Sequence, residues 1–481
     1  MAISRYYDDF LKMLTPFSYN DILKISFIIV IVAISRVFFL GAGYGYNQDG
    51  WAVACTAIRI ATKGEYVASR LPGYPVQEYL YSLVWDKGPF VFNGISACFG
   101  ILATVFFALS LKKLGCRKYI LPSLAFAFTP VAFLSSVNSM DSMWGMAFIL
   151  GGLYYVLNQR PWIAGLLLGL AIGCRITSGA MLIPLSILLY HKDTKNGISN
   201  ILILSLSACA VGFIAFIPVF NKYGLGFFNF VELRSPSLSM AAFDASVDFW
   251  GVIGSIGLAI ALLLIFIRGK NAQHESLISL TKIELISFGI AIILYLIAYI
   301  RLPAKPEYLL PILPFLILFF ANFMRRQDFT ILCITIILSS FFIDITGVPN
   351  NRFKERLTKY VELTQSGNKE VLLTLSGPLF IDKDKRVADL WLINQIIRKG
   401  NNIPDNSIIV SGYWHPKIQA SKGVKNYDKY IRLLTRENLK YYQDRNTRIY
   451  YLPGMEEHMM YINGIDLIKI GATPLLPKEI G

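Results

Sequence analysis

Residues 161–190 read PWIAGLLLGLAIGCRITSGAMLIPLSILLY, an apolar stretch interrupted by Arg175 with Thr177 and Ser178. As one helix it would reach about 45 Å, well beyond a hydrocarbon core of roughly 30 Å. Two short helices meeting at Arg175 fit better, and loop charge separates the two readings. With two helices, the clusters Lys112/Lys113/Arg117/Lys118, Arg160, Lys192/Lys195, Arg268/Lys270 and Arg325/Arg326 all fall on the side of the N-terminus. With one helix, the last two clusters would flip to the other side, against the tendency of basic loops to stay in the cytosol.

Working outward from this break, apolar runs recur at 22–42, 89–110, 119–135, 142–158, 162–174, 177–190, 198–219, 249–268, 283–300, 308–324 and 329–346. The expected fold is a multi-pass α-helical membrane protein of about eleven transmembrane helices, with its N-terminus in the cytosol and its C-terminus outside. The first 21 residues carry Asp8, Asp9, Lys12 and Asp21. No small-residue cleavage site follows the first run, which is therefore read as a retained anchor. Composition agrees: of 481 residues, 54% are hydrophobic and only 16% charged, with a mean hydropathy of +0.51. A soluble protein carries about a quarter charged residues, so a disordered chain is excluded and an ordinary cytosolic enzyme disfavoured. The six cysteines form no CxxC pair and no two of the four histidines stand at a ligand spacing. Neither a disulfide framework nor a zinc site is expected.

From about residue 347 the composition changes. Residues 347–481 hold 21 Lys+Arg and 14 Asp+Glu with no span, and short apolar runs at 371–375, 407–411 and 448–452 read as strands. The organisation expected is a membrane module, 1–346, followed by an extracytoplasmic mixed α/β domain, 347–481. The net charge of +15 divides accordingly. Over half lies in the N-terminus and inner loops, where it orients the chain. The remainder lies in the external domain, which would lean on anionic head groups or glycans. Nothing calls for nucleic acid.

Away from Lys24, Arg268 and Glu284 at their inner ends, the spans are nearly free of charge, apart from Arg36, Arg175 and Asp344, all toward the outer surface. A transport path would need polar residues along the spans. Polar residues gather instead in the external loops 43–88, 136–141, 220–248 and 301–307 and at the Arg175 turn. Loop 43–88 is the longest, and long loops are commonly functional. Its aromatic residues, Trp51 and Tyr74 among them, suit the interfacial zone. Asp49, beside Gly50, reads either as a solvated turn residue or as a general base held near a lipid head group. Asp141 reads as a helix N-cap or as a second carboxylate that helps orient an acceptor hydroxyl. The pair would supply the ligands if a divalent cation, magnesium or manganese, is used. Arg70, Arg175, Arg301 and Lys305 face outward, where orientation does not explain them. They snorkel to head groups or hold a phosphate, with Glu307 bracing Arg301 or Lys305.

This arrangement resembles the GT-C superfamily of integral-membrane glycosyltransferases: an Asp just after the first span, a second after the third, and an external loop between them. WIAGLLLGLAIGCRITSGAMLIPL (162–185) is similar to a stretch of protein O-mannosyltransferases and lipid A aminoarabinose transferases, and PEYLLPILP (306–314) to a turn of related mannosyltransferases. The resemblance implies transfer of a sugar from a polyprenyl-phosphate carrier to a glycan, lipid or protein acceptor, usually with inversion, in the cell membrane. It implies Asp49 as base and Arg175, Arg301 and Lys305 as phosphate ligands, with Arg70 beside them. Tyr308, Tyr74 and Trp51 would support the site. Inversion would set Asp49 across the cavity from the cations. One departure is that many relatives have an acidic pair where this chain has Asp49–Gly50. Two other classes stay open: a lipid-linked-sugar flippase or transporter, and a non-catalytic glycan receptor binding through SGYWHPKIQ (411–419). In that loop Trp414 and His415 read as packing or turn residues.

Overall fold

The computed structural model describes residues 18–192, 194–232, 237–268, 276–302, 305–357, 359–366 and 369–477. Asp8, Asp9, Lys12 and Lys270 lie outside the described residues. The break in the opening stretch is where loop charge puts it. Helix Pro161–Cys174 ends at Arg175, whose backbone is extended (φ −158°, ψ 108°), and a 3-10 turn, Ile176–Met181, leads into helix Leu182–Lys192. The glycines of the first half have a packing role. A Cβ at Gly165 would lie 2.6 Å from the Leu204 carbonyl oxygen, and one at Gly169 would lie 2.8 Å from that of Ala208. Helix Gly197–Tyr223 thus rests backbone to backbone on this helix, as small residues permit in a membrane where no hydrophobic effect joins helices.

The chain is a multi-pass helical membrane protein carrying a C-terminal α/β region. Among the described residues four helices are long and apolar enough to cross a bilayer: Pro89–Lys113, Gly197–Phe228, Leu238–Arg268 and Lys282–Arg301. Shorter apolar helices, Ser142–Leu157, Pro161–Cys174 and Leu310–Phe323, accompany them. Three expected spans differ in detail. The run 119–135 is two helices, Ile120–Phe128 and Pro130–Ser136, because Pro130 cannot continue the first. The run 308–324 opens with two 3-10 turns at Pro306–Tyr308 and Leu310–Ile312. The run 329–346 is helical only to Ser339, and Phe342–Gly347 is a strand. A short apolar run does not by itself distinguish strand from helix.

The basic loops gather at one end of the bundle. Lys112 Nζ lies 2.7 Å from Asp21 Oδ2, Lys192 Nζ lies 2.8 Å from Glu284 Oε1, and Arg268 pairs with Asp328. At the other end, strands β1 (Phe342–Gly347), β2 (Tyr360–Ser366) and β3 (Lys369–Ser376) form an antiparallel sheet in the order β1-β3-β2. Helix Pro378–Gly400 then leads to a parallel sheet of β4 (Ser407–Val410), β5 (Tyr430–Ile431), β6 (Arg448–Tyr451) and β7 (Thr473–Pro474), in the order β5-β4-β6-β7. The three strands read from sequence are β3, β4 and β6.

The first loop and the C-terminal region share one hydrophobic core. Tyr44, Trp51, Val53 and Ala54 pack in the same buried cluster as Leu392, Ile409, Trp414 and Met455. Arg386, almost fully buried, ties the two together by donating to the carbonyls of Ala42 and Gly43, each at 3.0 Å. Asn93 reaches the same segment from the helix below, donating to Leu40 and Gly43 at 2.8 Å.

Candidate active site

A cavity of about 820 Å³ opens at the sheet-bearing end. Asp49, Arg70, Tyr74, Arg175, Lys305 and Tyr308, from four separate stretches of sequence, all line it. Each is set by its own local device. Asp49 sits in the first turn of helix Gln48–Lys63. Arg70 projects from a loop organised by Glu78, a fully buried carboxylate. Glu78 accepts from the Tyr66 hydroxyl at 2.6 Å and the backbone N–H groups of Ser69 and Tyr74 at 2.8 and 3.2 Å. Arg175 occupies the break in the opening stretch, and Lys305 precedes the 3-10 turn after helix Lys282–Arg301.

Asp49 is ion-paired with Lys305 and lies 3.7 Å from Arg70 Nε. Burial pushes its carboxyl up, but Arg70 and Lys305 outweigh burial and hold it below the usual carboxylate range. The expectation that Asp49 would stand across the cavity from the cations is therefore corrected: it touches two of them. The reason is electrostatic, since half-buried charges left apart would go uncompensated.

Asp141 lies at the N-cap position of helix Ser142–Leu157, but its side chain makes no cap bond. It is fully buried behind the cavity wall, one oxygen paired with Arg70 and the other accepting from Arg175 Nε at 2.8 Å. Arg175 also donates to the Glu307 carbonyl at 3.0 Å and approaches Ser142 Oγ at 3.4 Å. Aromatic faces back both guanidiniums: Arg70 lies 4.0 Å from the Tyr74 ring centre and Arg175 lies 5.2 Å from that of Tyr308. Burial pushes the Tyr74 phenol up to about 12, so it stays a neutral donor.

Arg70, Arg175 and Lys305 around Asp49 and Asp141 leave one positive charge in excess, and Arg432, also in the lining, adds a second. The residues do not fit a magnesium or manganese ion held by Asp49 and Asp141, because both Asp141 oxygens are taken by Arg70 and Arg175 and Asp49 Oδ2 by Lys305 and Arg70, so the ion would have to enter among three cations. Among the described residues no group of three or more His, Cys, Asp or Glu is placed to hold a metal.

Other expected site residues fall elsewhere. Arg301, exposed at the end of its helix, is outside the cavity lining. Glu307 braces neither Arg301 nor Lys305 with its side chain: Asp49 takes Lys305, and one Glu307 carboxylate oxygen, Oε2, is buried without a partner. Trp51 is a buried prop whose indole donates to the Gly45 carbonyl at 2.9 Å. In the loop 411–419, Trp414 and His415 take packing and turn roles, with bonds to the Pro453 carbonyl and Ser411 Oγ. Sequence reasoning missed Arg432, Tyr295 and Tyr299, which also line the cavity. Arg432 carried no signal among the many basic residues of its region. The tyrosines were read only as part of a span.

The structure also accounts for Gly50. A Cβ there would lie 2.4 Å from the Tyr44 carbonyl oxygen, which accepts a hydrogen bond from the Ser139 N–H. A second acid beside Asp49 has no room.

No family model matches the chain, and no curated protein matches it. Solved structures are similar. One is ArnT from Cupriavidus metallidurans bound to undecaprenyl phosphate: 15% identity, TM-score 0.44, covering 64% of this chain and 59% of that one. Another is the Archaeoglobus fulgidus oligosaccharyltransferase tethered with an acceptor peptide: 12% identity, TM-score 0.40, covering 95% of this chain and 64% of that one. This chain thus spans about three-fifths of the length of the structures it matches.

Proposed function

We propose that this chain is a glycosyltransferase that moves a sugar from a polyprenyl-phosphate donor to an acceptor hydroxyl, on the extracytoplasmic face of the cell membrane. The observation that carries the reading is the cavity itself. A carboxylate, Asp49, meets Arg70, Arg175 and Lys305 in one space, whose other wall is formed by Tyr295, Ala298, Tyr299 and Leu302 of a membrane helix. The positive-inside tendency supports the extracytoplasmic side, because the basic loops lie at the opposite end of the same helices.

In this reading the phosphate of the donor enters against the cations. Arg175 and Arg70 meet it as guanidinium forks and Lys305 as a point charge. As the bond between sugar C1 and the phosphate oxygen breaks, its electron pair goes to the phosphate. The fixed cations stabilise that charge more in the transition state than in the ground state. The acceptor oxygen forms the new bond to C1 and gives its proton to Asp49. The ion pairs of the free site have a use here. A phosphate that draws Lys305 and Arg70 toward itself weakens their hold on Asp49 and raises its basicity when the donor is present. Asp141 is a fixed counterion that aims the two arginines.

The test is turnover with a polyprenyl-phosphate sugar. Asp49→Asn should abolish transfer while preserving donor binding and thermal stability. Near-normal turnover of that variant would remove Asp49 as base and leave the reading without its catalytic group.

A further inference from the structure

A second cavity of about 220 Å³ adjoins the first. Asn47 and Gln48, the residues just before Asp49, line both. Its remaining lining comes from Tyr46 and, across the shared core, from the C-terminal region. Tyr413 and Trp414 provide aromatic surface, Asn350 lines it with a polar side chain, and Asp389 and Lys417 form a buried ion pair. The Lys417 ammonium lies 4.8 Å from the Trp414 ring centre and 5.9 Å from that of Tyr46. The loop 411–419, which the transfer mechanism leaves unused, thus supplies three of these residues.

The chemistry of the walls narrows the occupant. At roughly 30 Å³ per molecule the space equals about seven waters. It is smaller than the roughly 300 Å³ at which pockets for larger ligands begin, so it suits one ring and not a chain. Aromatic surface beside amide, carboxylate and ammonium groups suits a ring with apolar C–H faces and a hydroxyl rim. The ion pair is internally balanced, so no net charge on the ligand is called for. We propose that this cavity is an acceptor subsite that holds one neutral pyranose ring and directs a hydroxyl past Asn47 and Gln48 toward Asp49. The acceptor would accordingly be a glycan or glycolipid ending in such a ring. This assignment rests on the transferase reading above.

The full chain, purified in detergent, is tested by saturation-transfer NMR with millimolar methyl glycosides of common hexoses, and separately for binding of polyprenyl phosphate. At least one glycoside should bind the wild-type chain. Tyr413→Ala should weaken it about five- to tenfold, the scale of one aromatic stacking contact. Tyr413→Phe should retain binding, because the hydroxyl only donates to the Pro453 carbonyl at 3.1 Å. Gln48→Ala, on the shared wall and exposed, should also weaken it and covers the case in which Tyr413→Ala fails to fold. If no glycoside binds, or if Tyr413→Ala and Gln48→Ala bind like wild type while polyprenyl phosphate still binds, the subsite is overturned and the transferase reading stands. Failure of polyprenyl phosphate to bind the wild-type chain would overturn the transferase reading and the acceptor assignment with it.

Discussion

Replacing Asp141 by Asn separates a counterion from a catalyst. Its two oxygens serve Arg70 and Arg175, whose side chains are 19% and 11% exposed while Asp141 itself is 0% exposed. Removing one partner from a buried ion pair costs about 3–5 kcal/mol, because the remaining charge is left uncompensated. Here Arg70 keeps Asp49 within 3.7 Å, so the lower end, about 3 kcal/mol, applies. At roughly 2 °C per kcal/mol for a large chain, the midpoint of thermal unfolding should fall by about 6 °C. The same change adds one to the excess positive charge of the cavity, from two to three with Arg432 counted. Affinity for inorganic diphosphate, a soluble stand-in for the donor head group, should therefore hold or increase. Tryptophan fluorescence in detergent gives the first quantity and calorimetric titration the second. An unchanged midpoint, or diphosphate affinity falling together with stability, would refute the view of Asp141 as a buried counterion.

Other substitutions probe the neighbouring contacts. Lys305→Ala should weaken diphosphate binding by about tenfold, one charge-assisted bond, with a smaller change in unfolding midpoint than Asp141→Asn; equal binding in both proteins would remove Lys305 from the phosphate site. Gly50→Ala drives a Cβ into the Tyr44 carbonyl and should destabilise the chain by about 1–3 kcal/mol, measured as a lowered midpoint with turnover reduced in parallel. Because the Asp49 carboxyl is held below its ordinary range, its ion pairs contribute stability above the unfolded-state value near 4. That contribution is lost as pH falls through the lower folded-state value. The acid limb of a stability–pH profile should therefore flatten in Asp49→Asn, and a limb of unchanged slope would show that other carboxylates set it. Glu78→Ala should lower turnover chiefly through Arg70, raising the KM for the donor more than it lowers kcat.

Much of this architecture was legible because membrane physics is written locally. The arginine interrupting residues 161–190 and the side on which basic clusters accumulate were enough to bring Asp49, Arg70, Arg175 and Lys305 to one end of the bundle. Two expectations failed for a common reason, that contacts depend on partners remote in sequence. Arg301 and Lys305 stand in one turn and look equivalent, yet only Lys305 lines the cavity. Nothing local says that Asp49 takes Lys305 and leaves Glu307 without it. The strand at 342–347 continues the apolar run of the preceding helix, and only its partner β3 shows what it is. The glycine at position 50 became meaningful only once the Tyr44 carbonyl was seen beneath it.

The core shared by the first loop and the C-terminal region sets an order of events during synthesis. Residues 44–57 emerge from the ribosome more than three hundred residues before Leu392, Ile409 and Met455, with which they are buried. Until that late segment has been made, the loop bearing Asp49 has only part of its core to close on, the side of Phe92 and Trp144 from the membrane helices. A chain stopped after its last membrane helix would insert fully and still possess no finished site. A copy lacking that segment would therefore leave apolar surface of the first loop uncovered.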